Sequence, residues 1–90
     1  MNSKDFSGKW IRFAEQIPFK PQKTKIFLVV NKDNDSPIAM IRWYGAFRQY
    51  SFFPLTSTVY EKQCLCDIAE FLKILMEERK LGRQRLLITL

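Results

Sequence analysis

The run from Ile38 to Pro54, IAMIRWYGAFRQYSFFP, sets two aromatic-rich stretches on either side of a glycine and closes them with a proline. β-Branched and aromatic residues suit a pleated, half-buried surface, and a glycine between two such runs supplies the positive φ of a tight turn. The stretch therefore reads as a β-hairpin. A two-residue Gly45-Ala46 loop of type II′ would pair Tyr44 with Phe47, Trp43 with Arg48 and Ile41 with Tyr50. Successive side chains then alternate between two faces. One face carries Ala39, Ile41, Trp43, Arg48, Tyr50 and Phe52 and makes the better core, with Trp43 and Arg48 placed for a structural cation–π contact. The other carries Ile38, Met40, Arg42, Tyr44, Phe47, Gln49, Ser51 and Phe53. It is more apolar than a purely solvated surface needs to be, and it is the surface to suspect for function.

Upstream, Thr24 to Asn31 is β-branched and aromatic, and is bounded by Pro18 and Pro21 on one side and by the Asn31-Lys32-Asp33-Asn34-Asp35-Ser36-Pro37 turn cluster on the other. It should fold back antiparallel onto residues 38–44, with Ile26, Leu28 and Val30 on the core face and Phe27 and Val29 on the second face. Trp10-Ile11-Arg12-Phe13 fits either an edge strand or one helical turn, and we prefer the edge strand. Residues 1–8 are polar and are expected to be flexible and to organise nothing.

Downstream, Thr58-x-x-Glu61 has capping-box spacing. Beyond it Cys64, Leu65, Ile68, Phe71, Leu72 and Leu75 recur at the helical period, so an amphipathic helix spans about residues 61–80. Asp67, Glu70, Lys73, Glu77 and Glu78 make its solvated face, and Gly82 is placed to terminate it. The tail at 81–90 fits continued helix or another strand. The expectation is one α+β domain over residues 1–90, with three antiparallel strands, or four with the edge strand, packed on one C-terminal helix. Its core should hold Ile26, Leu28, Val30, Ile41, Trp43, Tyr50, Phe52, Leu65, Ile68, Phe71, Leu72 and Leu75.

The 90 residues contain no histidine, which removes the usual triads, zinc-activated water and proton shuttles. Asp33 with Asp35 in a turn and Glu77 with Glu78 on a helix surface read as solvation, and Gly8, Gly45 and Gly82 are too scattered for a phosphate loop. The chain is therefore expected not to be an enzyme, and to need no metal and no other cofactor. Cys64 and Cys66 lie two apart on a helix, where they cannot easily meet and lack further zinc ligands; Cys64 reads as small core filler. No targeting signal follows Met1, and the longest strongly apolar run, Ile26 to Val30, is far short of a membrane span, so a cytoplasmic protein is expected. Fifteen Lys and Arg against nine Asp and Glu leave a net charge of +6. Such a balance favours anionic partners, although surplus solubilising charge accounts for it about as well.

Two binding functions compete for the second sheet face. Arg42, Tyr44, Phe47 and Gln49 could stack single-stranded bases and reach phosphates, though the signature run of the common RNA-binding sheet is missing. The same residue types are those enriched at protein interface centres, in a complex with a host protein or in a homodimer. The structural alternative is that the Trp10–Phe13 segment or the C-terminal tail folds over this face and buries it.

The stretch from Arg42 to Pro54, followed by Thr58-Val59-Tyr60 and Cys64-Leu65-x-Asp67-Ile68-x-x-Phe71, resembles a group of small proteins encoded by bacterial phages and mobile elements. The resemblance covers roughly residues 20–80. It implies a bacterial host cell as the setting and no catalytic residues. It also implies a binding role, because compact phage proteins of this size often act on a host protein, anti-CRISPR and other anti-defence inhibitors among them. Together with the small single domain, the missing histidine, the positive charge and the aromatic excess of the second face, this makes Arg42, Tyr44, Phe47 and Gln49 the expected partner-binding residues, with Tyr44 and Phe47 as anchors, and a host protein such as a CRISPR or other defence nuclease the expected partner.

Overall fold

A computed structural model describes the backbone of residues 2–89 and the side chains of residues 2–82. Strands β1 (Ile11–Gln16), β2 (Ile26–Asn31), β3 (Pro37–Tyr44) and β4 (Gln49–Pro54) form one antiparallel sheet in the order β1-β2-β3-β4, and helix α1 (Lys62–Thr89) follows. The fold is α+β, with the Trp10–Phe13 region supplying the fourth, edge strand.

The hairpin forms, but its loop is longer than the expected two residues. β3 and β4 pair Tyr44 with Gln49, Trp43 with Tyr50 and Ile41 with Phe52, which leaves residues 45–48 as the connection. The Tyr44 carbonyl accepts from the Phe47 N–H and the Gly45 carbonyl from the Arg48 N–H, both at 3.2 Å. The left-handed residue is Arg48, with φ of 54°, whereas Gly45 has no positive φ. The pairing is displaced by two residues, and since side chains alternate with a period of two, the β3 and β4 faces stay as the sequence implies. Arg48 moves into the exposed loop. Trp43 instead packs edge-on against Tyr50, at 5.5 Å and 86°, and beneath the Arg79 guanidinium of α1 at 4.2 Å.

β2 corrects the sequence reading. Phe27 lies opposite Ile41 and Val29 opposite Ala39, so Phe27 and Val29 face the helix and are buried. Ile26 and Leu28 take the other face and are half-buried, while Val30, beyond a bulge at Val29/Val30, is buried. Five consecutive apolar residues carry no alternation, so only the pairing with β3 chooses their faces.

Cys64, Ile68, Phe71 and Leu75 make the buried stripe of α1, joined by Ile74. Leu65, one position off that stripe, is half exposed and leaves the expected core. Trp43, Phe52 and Leu72 pack against the core without being fully enclosed. Phe71 is the centre: its ring stacks on Phe13 at 4.0 Å and 7° and meets Phe27 edge-on at 4.9 Å. Ile11, from β1, is almost fully buried beside them.

Both ends of α1 depart from the sequence reading. Glu61, not Thr58, caps the start, with its Oε1 accepting the Cys64 N–H at 2.6 Å, while the Thr58 hydroxyl contacts the Leu55 carbonyl and the Tyr60 hydroxyl. Backbone hydrogen bonds from Gln63 and Cys64 hold the Glu61 carboxyl below its ordinary range. That cap therefore stabilises at neutral pH and is lost as pH falls through the lowered value. At the other end Gly82 does not stop the helix, which runs on to Thr89. The side-chain partners expected for the tail aliphatics lie outside the described residues. A Cβ at Gly82 would meet nothing within 4 Å. Gly82→Ala should therefore stabilise the protein by roughly 0.5–1 kcal/mol, by removing the backbone entropy cost of glycine in a helix. A urea midpoint that rises at constant m-value checks this.

The N-terminal segment organises more than its polar sequence suggests. Ser3 is buried and donates from its N–H and its hydroxyl to the two carboxylate oxygens of Glu78 at 2.7 and 2.8 Å. Phe6 stacks on Phe71 at 6.1 Å, and Asp67 accepts the Lys9 N–H at 3.0 Å. Asp67 and Glu78, read from sequence as solvated charges, fasten this segment along α1.

Candidate functional site

α1 and the N-terminal segment cover one face of the sheet, and among the described residues no element lies over the other. The register fixes what that open face presents. Ala14 lies opposite Leu28, Leu28 opposite Met40, and Met40 opposite Phe53, so a continuous apolar row crosses all four strands. Each of these residues is only half-buried. β1 adds at the sheet edge and turns Ile11 and Phe13 toward the helix, so it does not fold over the open face.

The four residues singled out from sequence gather at one corner of this face. Tyr44 and Gln49 are a register pair, and Arg42 lies opposite Ser51. Phe47, from the loop, meets the Tyr44 ring edge-on at 5.0 Å, and Tyr44 meets Phe53 edge-on at 5.9 Å. The Arg42 guanidinium sits 4.0 Å above the Phe53 ring. Phe53 therefore belongs with the cluster as the ring that fixes both Arg42 and Tyr44. Phe47 is 67% exposed and Tyr44 38%, so both rings offer apolar surface to solvent.

The meander also gathers positive charge at one end. The β1–β2 and β3–β4 loops lie at one end of the sheet, and the β2–β3 turn at the other. α1 starts beside Gly8 and Lys9 at the β2–β3 end and reaches the loop end at Arg79, which lies over Trp43. Lys20, Lys23, Lys25, Arg48 and Arg79 share the loop end, while at the opposite end Asp33, Asp35, Glu61 and Asp67 are matched by Lys9, Arg12, Lys32 and Lys62. Sequence reading missed this polarity, and it missed Ile17 and Phe19, which are fully exposed in the β1–β2 loop. Large apolar residues on either side of Pro18 and just ahead of Pro21, where no regular element can carry them into a core, were the available signal.

Among the described residues no group of His, Cys, Asp and Glu could hold a metal ion, and both cysteines are free thiols. Burial pushes the Cys64 thiol above its ordinary pKa, which makes it inert packing. No helix among the described residues is long and apolar enough to cross a membrane.

The chain is similar to the "Uncharacterized 9.3 kDa protein" of Acholeplasma phage L2, with 31% identity over 74 residues that cover 82% of this chain and 94% of the relative. It belongs to that phage protein family. No family model matches the sequence, and no solved structure matches it.

Proposed function

We propose that this phage protein is a non-enzymatic binding protein that contacts a bacterial host protein through the open face of its sheet and inhibits it. The partner class is a nucleic-acid-handling defence protein, such as a CRISPR effector or other nuclease. The observation that carries this reading is the half-buried row Ala14–Leu28–Met40–Phe53, flanked by Arg42, Tyr44, Phe47 and Gln49. Such a face is costly to leave in water, and Tyr and Arg beside an apolar patch are the residues that anchor protein interfaces.

Single-stranded nucleic acid is the second reading, favoured by the cluster of lysines and arginines at the loop end. The open face suits it less well. Base-stacking platforms hold ring faces outward on central strands, whereas here β2 and the middle of β3 present Ile26, Leu28 and Met40, and Arg42 already covers the Phe53 ring.

Affinity purification from a bacterial lysate, with and without nuclease treatment, separates the two. The expected result is a protein partner that survives nuclease. Its affinity should fall at least roughly 30-fold on Tyr44→Ala/Phe47→Ala, as loss of a hot spot does. Because both residues are exposed, the melting temperature should hardly move. Recovery of nucleic acid alone would overturn the proposal in favour of the second reading.

A further inference from the structure

A concavity lies on the other side of the sheet, at the basic end, where the β1–β2 loop approaches the outer part of α1. It encloses about 660 Å³ between Lys23, Lys25, Tyr50, Leu75, Glu78 and Arg79. That is within the range of small-ligand sites, roughly 300–1,000 Å³.

Three cations of its lining, Lys23, Lys25 and Arg79, outweigh its one carboxylate, Glu78. Arg79 is held by its π contact with Trp43, and its Nε is buried without a hydrogen-bond partner among the described residues. Tyr50 accepts the Lys25 N–H at 3.0 Å, and its own hydroxyl proton has no acceptor among the described residues. The one carboxylate of the lining, Glu78, has both oxygens engaged by Ser3. Neither Lys23, Lys25 nor Arg79 forms an ion pair among the described residues, where the pair found is Arg12 with Asp35 at the far end of the sheet.

We propose that this concavity binds a phosphate group, with Arg79 as the oriented donor, Lys23 and Lys25 as closing charges, the Tyr50 hydroxyl as a further donor, and Leu75 with the Tyr50 ring as an apolar wall for what the phosphate carries. Phosphate fits because its oxygens can accept from several convergent donors at once, and because guanidinium and ammonium groups together match its charge. The site faces away from Tyr44 and Phe47, so it stands apart from the proposed partner-binding face. The phosphate comes either from a nucleoside monophosphate or from the backbone of a single strand.

Titrating the isotope-labelled protein at low salt with adenosine monophosphate, and separately with a short mixed single-stranded oligonucleotide, tests this. Amide signals of Lys25, Tyr50 and Gly82 should shift saturably with at least one probe. Saturation by the mononucleotide assigns a small phosphate ester, and saturation by the oligonucleotide alone assigns a backbone phosphate. Lys23→Gln/Lys25→Gln should lower the affinity at least about tenfold, the size of one lost charged contact, and leave the fold intact because both side chains are exposed. With the oligonucleotide it should also flatten the salt dependence, by roughly 0.7 in the log–log slope per phosphate contact removed. Tyr44→Ala/Phe47→Ala should leave this binding unchanged. The proposal is overturned if neither probe shifts these amides, or if binding survives Lys23→Gln/Lys25→Gln and is lost in Tyr44→Ala/Phe47→Ala.

Discussion

Phe71→Ala is expected to lower the unfolding free energy by about 3–5 kcal/mol, the range for removing a large aromatic from a packed core. The residue has no exposed surface, and its ring is the meeting point of three elements: Phe13 from β1, Phe27 from β2 and Phe6 from the N-terminal segment. No single neighbour can collapse into the space it would leave, because those rings approach from different directions. A domain of this size has only about 5–15 kcal/mol in total, so the variant should be close to unfolding at 37 °C. Phe71→Leu, which keeps much of the volume, should lose markedly less. Urea unfolding measures both, and a loss under about 1 kcal/mol for the alanine variant, well short of the core range, would show that the ring cluster does not carry the core.

Gly8→Ala should cost about 1–3 kcal/mol, the usual penalty for forcing extra volume into a filled site. An added Cβ would lie 2.7 Å from Asp67 Oδ2 and 3.0 Å from both Asp67 Cβ and Ile11 Cγ1. The chain cannot simply step aside. The Gly8 N–H donates to the Ile11 carbonyl at 2.9 Å, and its carbonyl accepts from Lys32 Nζ at 2.6 Å. Moving Asp67 would also break its bond to the Lys9 N–H. If the N-terminal segment were loose, the same substitution would change nothing measurable in thermal unfolding. Asp67→Ala in the Gly8→Ala background should recover part of the loss, because it removes the closest of the clashing atoms.

The candidate face was legible in the sequence because of parity. The β3–β4 pairing is displaced by two residues, and a displacement by an even number leaves Arg42, Tyr44, Gln49, Ser51 and Phe53 together on one face. Phe53 as the organiser of that cluster was not legible, since the stacking of Arg42 above it depends on how two side chains meet across strands. The phosphate-binding concavity was not legible at all. Lys23 and Arg79 are far apart in the chain, and only the return of α1 along the sheet brings them to one cavity.

By itself the sequence determined the hairpin, the α+β class and the helical stripe at Cys64, Ile68, Phe71 and Leu75, because each of these is encoded by a local period of apolar residues. Tertiary structure alone decided three other matters. Ile26 to Val30 is apolar throughout, so only the register against β3 turned Phe27 and Val29 inward. Gly82 is a permissive residue whose local preference leaves both stop and continuation open, and α1 continues. Residues 2–9 carry no period of their own, and they are placed because Ser3, Phe6 and Lys9 find Glu78, Phe71 and Asp67 already arrayed along the helix.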